Sequence, residues 1–326
     1  MKEFNEYGEP VEEPKKKKFN LFSGYAKEGK GIKKEDVITN YDFISFFKLY
    51  FRRFIKLIWV NALYIVGNFP VFFLLLAMSG LFSNVGVAPA SEVFPVINGI
   101  HIASGEVFDP SFAVLLGIHG QMAPVYANTV VTYILYALSA LAIFTFGPVN
   151  AACAYIVKNL VKGEPIFMWE DFKTTIKNNW KQALPMGILD LMMCVLCSYA
   201  LMMYYYNYSN YYMMFYPMIL VFILYIFMRF YVYTLMVTFE LKFFHILKNA
   251  AIFALLGFGR NLLLFFGCVM LVVFTMWLYT LFVPLSVISI FMILFSGCAF
   301  MGTYAAWPKI QKYMIDPYYK KSETEE

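Results

Sequence analysis

SALAIFTFGPVNAACAYIVKNLVKGEPIFMWEDFKTTIKNNWKQALPMGILD, residues 139–190, decides the architecture. It is apolar up to Gly147 and Pro148, a pair that bends a helix, and a second apolar run begins near Ala183. The lysines between them read as a water-facing loop joining two membrane crossings.

Composition carries this reading to the rest of the chain. Of 326 residues, 61% are hydrophobic and only 14% charged, whereas a soluble domain has about one-quarter charged residues. The apolar residues fall in blocks of about 20, the length that crosses roughly 30 Å of hydrocarbon as a helix. Barrel strands would instead alternate over about 10 residues. The expected fold is therefore all-α, a polytopic transmembrane bundle of about six spans with amphipathic helices at its interface. Cys153, Cys194, Cys197, Cys268 and Cys298 lie in or at the ends of apolar blocks and imply no disulfide framework.

The pattern predicts a disordered basic tail over 1–40, an interfacial helix over 41–56 and a membrane domain over 57–307, followed by a second tail over 308–326. In 41–56, Phe43, Phe46, Phe47, Tyr50 and Phe54 interleave with Lys48, Arg52, Arg53 and Lys56 at helical steps. The expected spans are 57–82, 130–157, 183–204, 212–237, 262–283 and 285–307. Residues 83–128 form a long outer loop broken by prolines, with a short helix predicted after Asp109 and Pro110. The run Tyr204–Tyr216 reads as an aromatic belt in the turn between the third and fourth spans.

Net charge is +5, and its distribution describes a topology rather than a nucleic-acid face. All 26 Lys and Arg fall in four groups: the amino-terminal part through Lys56, the segment 158–182, the stretch from Arg229 to Arg260, and the carboxyl-terminal tail. The intervening outer loops have none. Positive charge collects on the cytoplasmic side, which places both termini and the segments 158–182 and 238–261 there.

Asp190 and Arg229 are the ionisable residues well inside predicted spans. Such charges mark functional sites unless paired or hydrated. Asp190 lies nine residues past Lys181, about 13 Å along a helix. The two could pair across the third and fourth spans; the plainer alternative is that Arg229 snorkels and Asp190 only fixes helix packing. Asn61, Asn68 and Asn150 either line a polar cavity with Asp190 or make ordinary interhelical hydrogen bonds. Cys194 and Cys197 match C-x-x-C without a second ligand pair. His101, His119, Glu92, Glu106 and Asp109 could assemble an outer metal or substrate site, against which their irregular spacing speaks. Asn207-Tyr208-Ser209 is a chance glycosylation sequon, and Gly257 and Gly259 lack the setting of a phosphate loop. With no nucleophile elbow, zinc-helix or Walker motif, the reading is of a non-enzyme without cofactor or metal.

Several stretches together resemble the YesL-like family of uncharacterised bacterial membrane proteins. These are LIWVNALYIVGNFP (57–70), FTFGPVNAACAYIVKNLVKGE (144–164), VTFELKFFHILKNAAIFALLGFGRNLL (237–263) and the early Gly29–Gly31 segment. In the central motif the matching residues are Gly147, Pro148 and Ala151; in the late one, Lys248, Asn249 and Asn261. The segment between Pro70 and Gly147 is shorter in the smallest members. The resemblance implies a bacterial cell-membrane protein associated with carbohydrate utilisation. Its expected partners are the bilayer and components of a carbohydrate transporter, with no nucleic acid, and the segment 158–182 is the expected contact. The alternative is a small-solute transporter with a polar inner cavity.

Overall fold

The computed structural model describes residues 41–105 and 110–317. The tail through residue 40, Glu106, Asp109 and the end of the carboxyl-terminal tail lie outside the described residues. The chain is a helical bundle carrying one two-stranded ribbon. Among the described residues, five helical stretches are long and apolar enough to cross a membrane: Val130–Lys162, Met168–Tyr206, Tyr208–Met236, Phe258–Leu281 and Val283–Ile315. A bent pair over the expected first span brings the number to six if it is one crossing. The architecture is an all-α polytopic bundle.

That first span is not a straight rod. Helix α1 (Phe43–Arg52) runs into α2 (Phe54–Gly67), and α3 (Pro70–Met78) departs from α2 by 70°. Pro70 has no N–H to continue the ladder of α2 and sits instead in the first turn of α3. Asn68 closes the end of α2, its side-chain amide donating to the Tyr64 carbonyl at 3.1 Å. Alone, α2 is about 21 Å long, short of the roughly 30 Å of hydrocarbon.

The segment 83–128 is more ordered than a broken loop. Strand β1 (Asn84–Pro89) pairs antiparallel with β2 (Met122–Ala127), and between them lie α4 (Phe94–Ser104) and α5 (Pro110–His119). The turn-breaking prolines therefore start helices or sit in a ribbon rather than interrupting a coil.

The basic segment 158–182 is helical over most of its length, which corrects the reading of a loop. Helix α6 (Val130–Ser139) leads into α7 (Ala142–Lys162), and α8 runs unbroken over Met168–Tyr206. Only 163–167 turns the chain, with Gly163 at φ +80°, a left-handed conformation natural to glycine. Lys158 and Lys162 thus end α7, and Lys173, Lys177 and Lys181 ride on α8. At 39 residues, α8 is about 58 Å long, nearly twice what a crossing needs. Most of the tyrosine run is likewise helical, but it holds the turn: Asn207 separates α8 from α9 (Tyr208–Met236), and the backbone leaves the helical conformation again at Tyr211, with φ −125° and ψ 22°.

The chain continues through α10 (Phe243–Leu256), α11 (Phe258–Leu281), α12 (Val283–Ser289), a π-helical stretch Ile290–Leu294 and α13 (Phe295–Ile310). The core draws on the helix ends nearest the lysines. Ala151–Val161 of α7, Phe172 to Met186 of α8, Tyr231–Met236 of α9 and Phe300–Ile310 of α13 hold most of it, with Ile246, Ala250 and Phe253 of α10. The opposite ends turn most of their apolar side chains outward, as helices do where the solvent is lipid. Helix α1 splits by face. Phe46 and Leu49 are buried, and Phe46 meets Phe300 and Tyr304 of α13, while Phe43, Phe47 and Phe51 form an exposed aromatic row one turn apart.

At the centre, α7 and α8 touch backbone to backbone. An added Cβ on Gly147 would lie 2.0 Å from the Ala183 carbonyl oxygen, and one on Gly187 would lie 2.3 Å from the Gly147 Cα. Two glycines facing each other allow an approach that no side chain permits.

Candidate functional site

Just beyond that crossing, α8 presents Asp190 to α9. The carboxylate is buried and accepts from Arg229 Nε at 3.0 Å on Oδ1 and 2.8 Å on Oδ2. The Tyr233 hydroxyl donates to Oδ2 at 2.9 Å, and the Tyr225 hydroxyl donates to Oδ1 and to the Asp190 carbonyl. Arg229 Nη2 reaches Asn150 Oδ1 of α7 at 3.4 Å, while the Asn150 amide donates to the Phe146 carbonyl at 2.7 Å. The Arg229 guanidinium lies 5.8 Å from the centre of the Phe146 ring. Three helices are joined through one charge pair, and the carboxylate is neutralised and hydrogen-bonded on both oxygens, the condition for burying a charge in low dielectric.

Tyr225, Arg229 and Tyr233 stand four residues apart and so share one face of α9. This spacing was visible in the sequence, yet the tyrosines read there as part of an aromatic-rich apolar span. Arg229 points into the bundle rather than along the membrane surface, though its side chain is 35% exposed. Its outer part borders a shallow cleft of about 260 Å³, open mouth included, whose walls are Met186, Leu189, Met228, Val232 and Leu247.

Of the three asparagines, only Asn150 joins this cluster. Asn61 is fully buried on α2 and serves the π-helical stretch instead. Its amide donates to the carbonyls of Ile290 at 2.9 Å and Phe291 at 2.7 Å, and its Oδ1 accepts from the Ser296 N–H at 3.0 Å. A π-turn shifts the helical pairing and leaves backbone groups seeking partners, which lipid cannot supply. Asn68 accepts from the Thr145 hydroxyl at 3.4 Å. Asn61, Asn68, Asn150 and Asp190 therefore do not line one cavity; the asparagines make separate hydrogen bonds to different parts of the bundle. Asn61→Leu keeps the bulk but removes three hydrogen bonds, and should cost about 2 kcal/mol of stability, read as a lower unfolding midpoint in detergent. An unchanged midpoint would show that the π-stretch satisfies itself.

The remaining candidates separate. Cys194 Sγ lies 4.0 Å from the Tyr225 hydroxyl, Cys197 is buried, and both are free thiols. His119 Nδ1 shares a 2.9 Å hydrogen bond with Ser91 Oγ in the segment 83–128. Asn207 donates to the Met203 carbonyl at the end of α8. Gly257 packs beneath the Tyr231 hydroxyl, which donates to Asn261 Oδ1 at 2.9 Å. Asn261 itself donates to the Ala254 carbonyl, tying α9 to the α10–α11 junction. Arg260 holds the Tyr41 and Tyr304 carbonyls at 3.0 and 2.8 Å, fastening the start of α1 to α13.

A family model described as a protein of unknown function, DUF624, matches residues 125–201. The matched stretch covers α6, α7 and most of α8, so it contains Gly147, Asn150, Gly187 and Asp190 but not Arg229. No curated protein and no solved structure matches the chain.

Proposed function

We propose that this chain is a membrane-embedded accessory or regulatory partner of a carbohydrate-uptake or utilisation system, without catalysis of its own. It would sit in a bacterial cell membrane with both termini cytoplasmic. The observation that carries the reading is the occupancy of Asp190: both carboxylate oxygens are already engaged by Arg229, Tyr225 and Tyr233 of the same chain. A charge pair so fully spent fastens helices and offers little to a passing ion. The class of partner comes from the resemblance to YesL-like proteins, which carry the matched domain. The surface for that partner is the helical segment 158–182.

Co-purification from native membranes tests this directly. Stoichiometric recovery of a transporter ATPase or solute-binding protein supports the reading. Solute uptake by the isolated chain in liposomes would replace it with the second one, a small-solute transporter. The feature that favours that alternative is the cleft bordered by Arg229 and Asp190.

The orientation rests on the absence of Lys and Arg from the outer loops. Single cysteines at Ser91 and Asn178, both outside the core, should react with an impermeant reagent from the outside and the inside respectively. Reaction of both from one face would reject the six-crossing topology.

A further inference from the structure

The part of α8 that precedes its apolar span points to a lipid surface. At about 100° per residue, Trp169, Lys173, Lys177, Trp180, Leu184 and Ile188 fall on one side of the helix, within an arc of about 100°. The flank beyond Trp169, with Phe172, Thr175 and Ala183, is buried, and the Phe172 ring stacks on that of Trp169 at 6.4 Å. Trp169 is 56% exposed, Trp180 44% and Ile188 42%, and Lys173, Lys177 and the neighbouring Lys181 are exposed as well. Lys173 Nζ lies 4.6 Å from the centre of the Trp169 ring.

Two facts choose the occupant. First, the stripe is continuous with Ile188, which faces outward from the apolar span, so the surface that meets acyl chains above becomes tryptophan and lysine below. Second, from Ile188 through Leu184 to Trp180, Lys181 and Lys177, about 17 Å of helix, the order of side chains is the order of a leaflet. Tryptophan favours the headgroup level, and lysine stems lie along apolar surface while their ammonium groups reach phosphate. Glu170, exposed, falls at the edge of the same arc as Ile188, and the balance across Glu170, Lys173, Lys177 and Lys181 is still cationic. We infer that this face of α8 binds the headgroups of anionic phospholipids in the basic-side leaflet, holding the amino-terminal part of α8 against the membrane. The inference is independent of the partner reading. It leaves Thr174 and Asn178, further round the helix, as the exposed part of that surface available to a protein.

Lipid quenching tests it on the full chain reconstituted in mixed phosphatidylglycerol and phosphatidylcholine vesicles, with one or the other lipid brominated. The chain has 5 tryptophans, and the signal from Trp169 and Trp180 is the difference between the unaltered protein and a Trp169→Phe/Trp180→Phe variant. Brominated phosphatidylglycerol should quench that signal more strongly than brominated phosphatidylcholine. Each of Lys173→Gln and Lys177→Gln should lower the preference by up to about five-fold, and the Lys→Arg pair should keep it. Equal quenching by the two lipids would overturn the inference, as would a preference untouched by the glutamine variants. Strong quenching of the same signal by aqueous iodide, with little by either lipid, would return the face to water and to a protein partner.

Discussion

Asp190→Asn should lower the stability of the folded protein by about 3 kcal/mol, the lower end of the range for breaking a buried ion pair. The lower end applies because the Arg229 side chain is 35% exposed at the cleft and recovers some solvation there. Asparagine keeps an acceptor for Tyr225 or Tyr233 but leaves the guanidinium without its counter-charge. Arg229→Gln makes the reverse defect, stranding a carboxylate that is itself almost wholly buried. The double variant removes both charges and keeps two amides able to hydrogen-bond each other. Its loss should fall short of the sum of the single losses by about 1–3 kcal/mol, the coupling expected of residues in contact. Thermal midpoints and folded yield in detergent, measured for the four members of the cycle, give the answer. Strictly additive losses would mean that the two side chains act separately, and equal stability of all four would mean that both are hydrated.

Helical rise alone places Asp190 in the membrane. Nine residues past Lys181 is a fixed distance while α8 stays helical, and it does. The rest of the cluster was legible in principle, since Tyr225 and Tyr233 flank Arg229 at the step that brings side chains onto one face. They were hidden by composition: in a chain with 25 tyrosines, two more in an apolar span carry no signal until a carboxylate is seen opposite them. Asn61 was beyond reach for another reason. Its partners lie 229 to 235 residues away in sequence, on a π-turn that no local pattern announces.

Length and hydropathy also misjudge where helices stop. Lysines and glutamate at 158–182 look like a loop because they are polar, yet they are good helix formers, and only Gly163 and Pro165 interrupt them. Polarity decides whether a segment sits in lipid; it does not decide whether the segment is helical. The tyrosine run makes the same point, for aromatic residues near the membrane boundary carry α8 to Asn207 without a break. In the outer segment 83–128, prolines hide the order by another route. Pro89 and Pro124 fall inside the paired strands, where a proline usually argues against a strand. A two-stranded ribbon tolerates them because each strand has an edge free of ladder bonds.

The crossing of α7 and α8 gives the other large expected effect. Gly147→Ala would put a methyl group 2.0 Å from the Ala183 carbonyl oxygen and 2.9 Å from the Gly187 Cα; Gly187→Ala would put one 2.3 Å from the Gly147 Cα and 2.4 Å from its nitrogen. All four neighbours are backbone atoms of helices, so no rotamer change relieves the overlap and the helices must move apart. Packing on both sides of the contact then suffers, including Val149, Ala151 and Ala152, and the cost should reach about 3 kcal/mol or more for either variant. Gly259→Ala is the control: it lies in α11 with nothing within 4 Å of the added methyl, and alanine in a helix should gain about 0.5–1 kcal/mol over glycine. Separation of α7 from α8 would also draw Asn150 away from Arg229, so Gly147→Ala and Asn150→Ala should be less than additive. If Gly147→Ala and Gly187→Ala both unfold with the midpoint of the Gly259 variant, the two helices do not meet at these glycines, and the position assigned to Asp190 beside Asn150 fails with them.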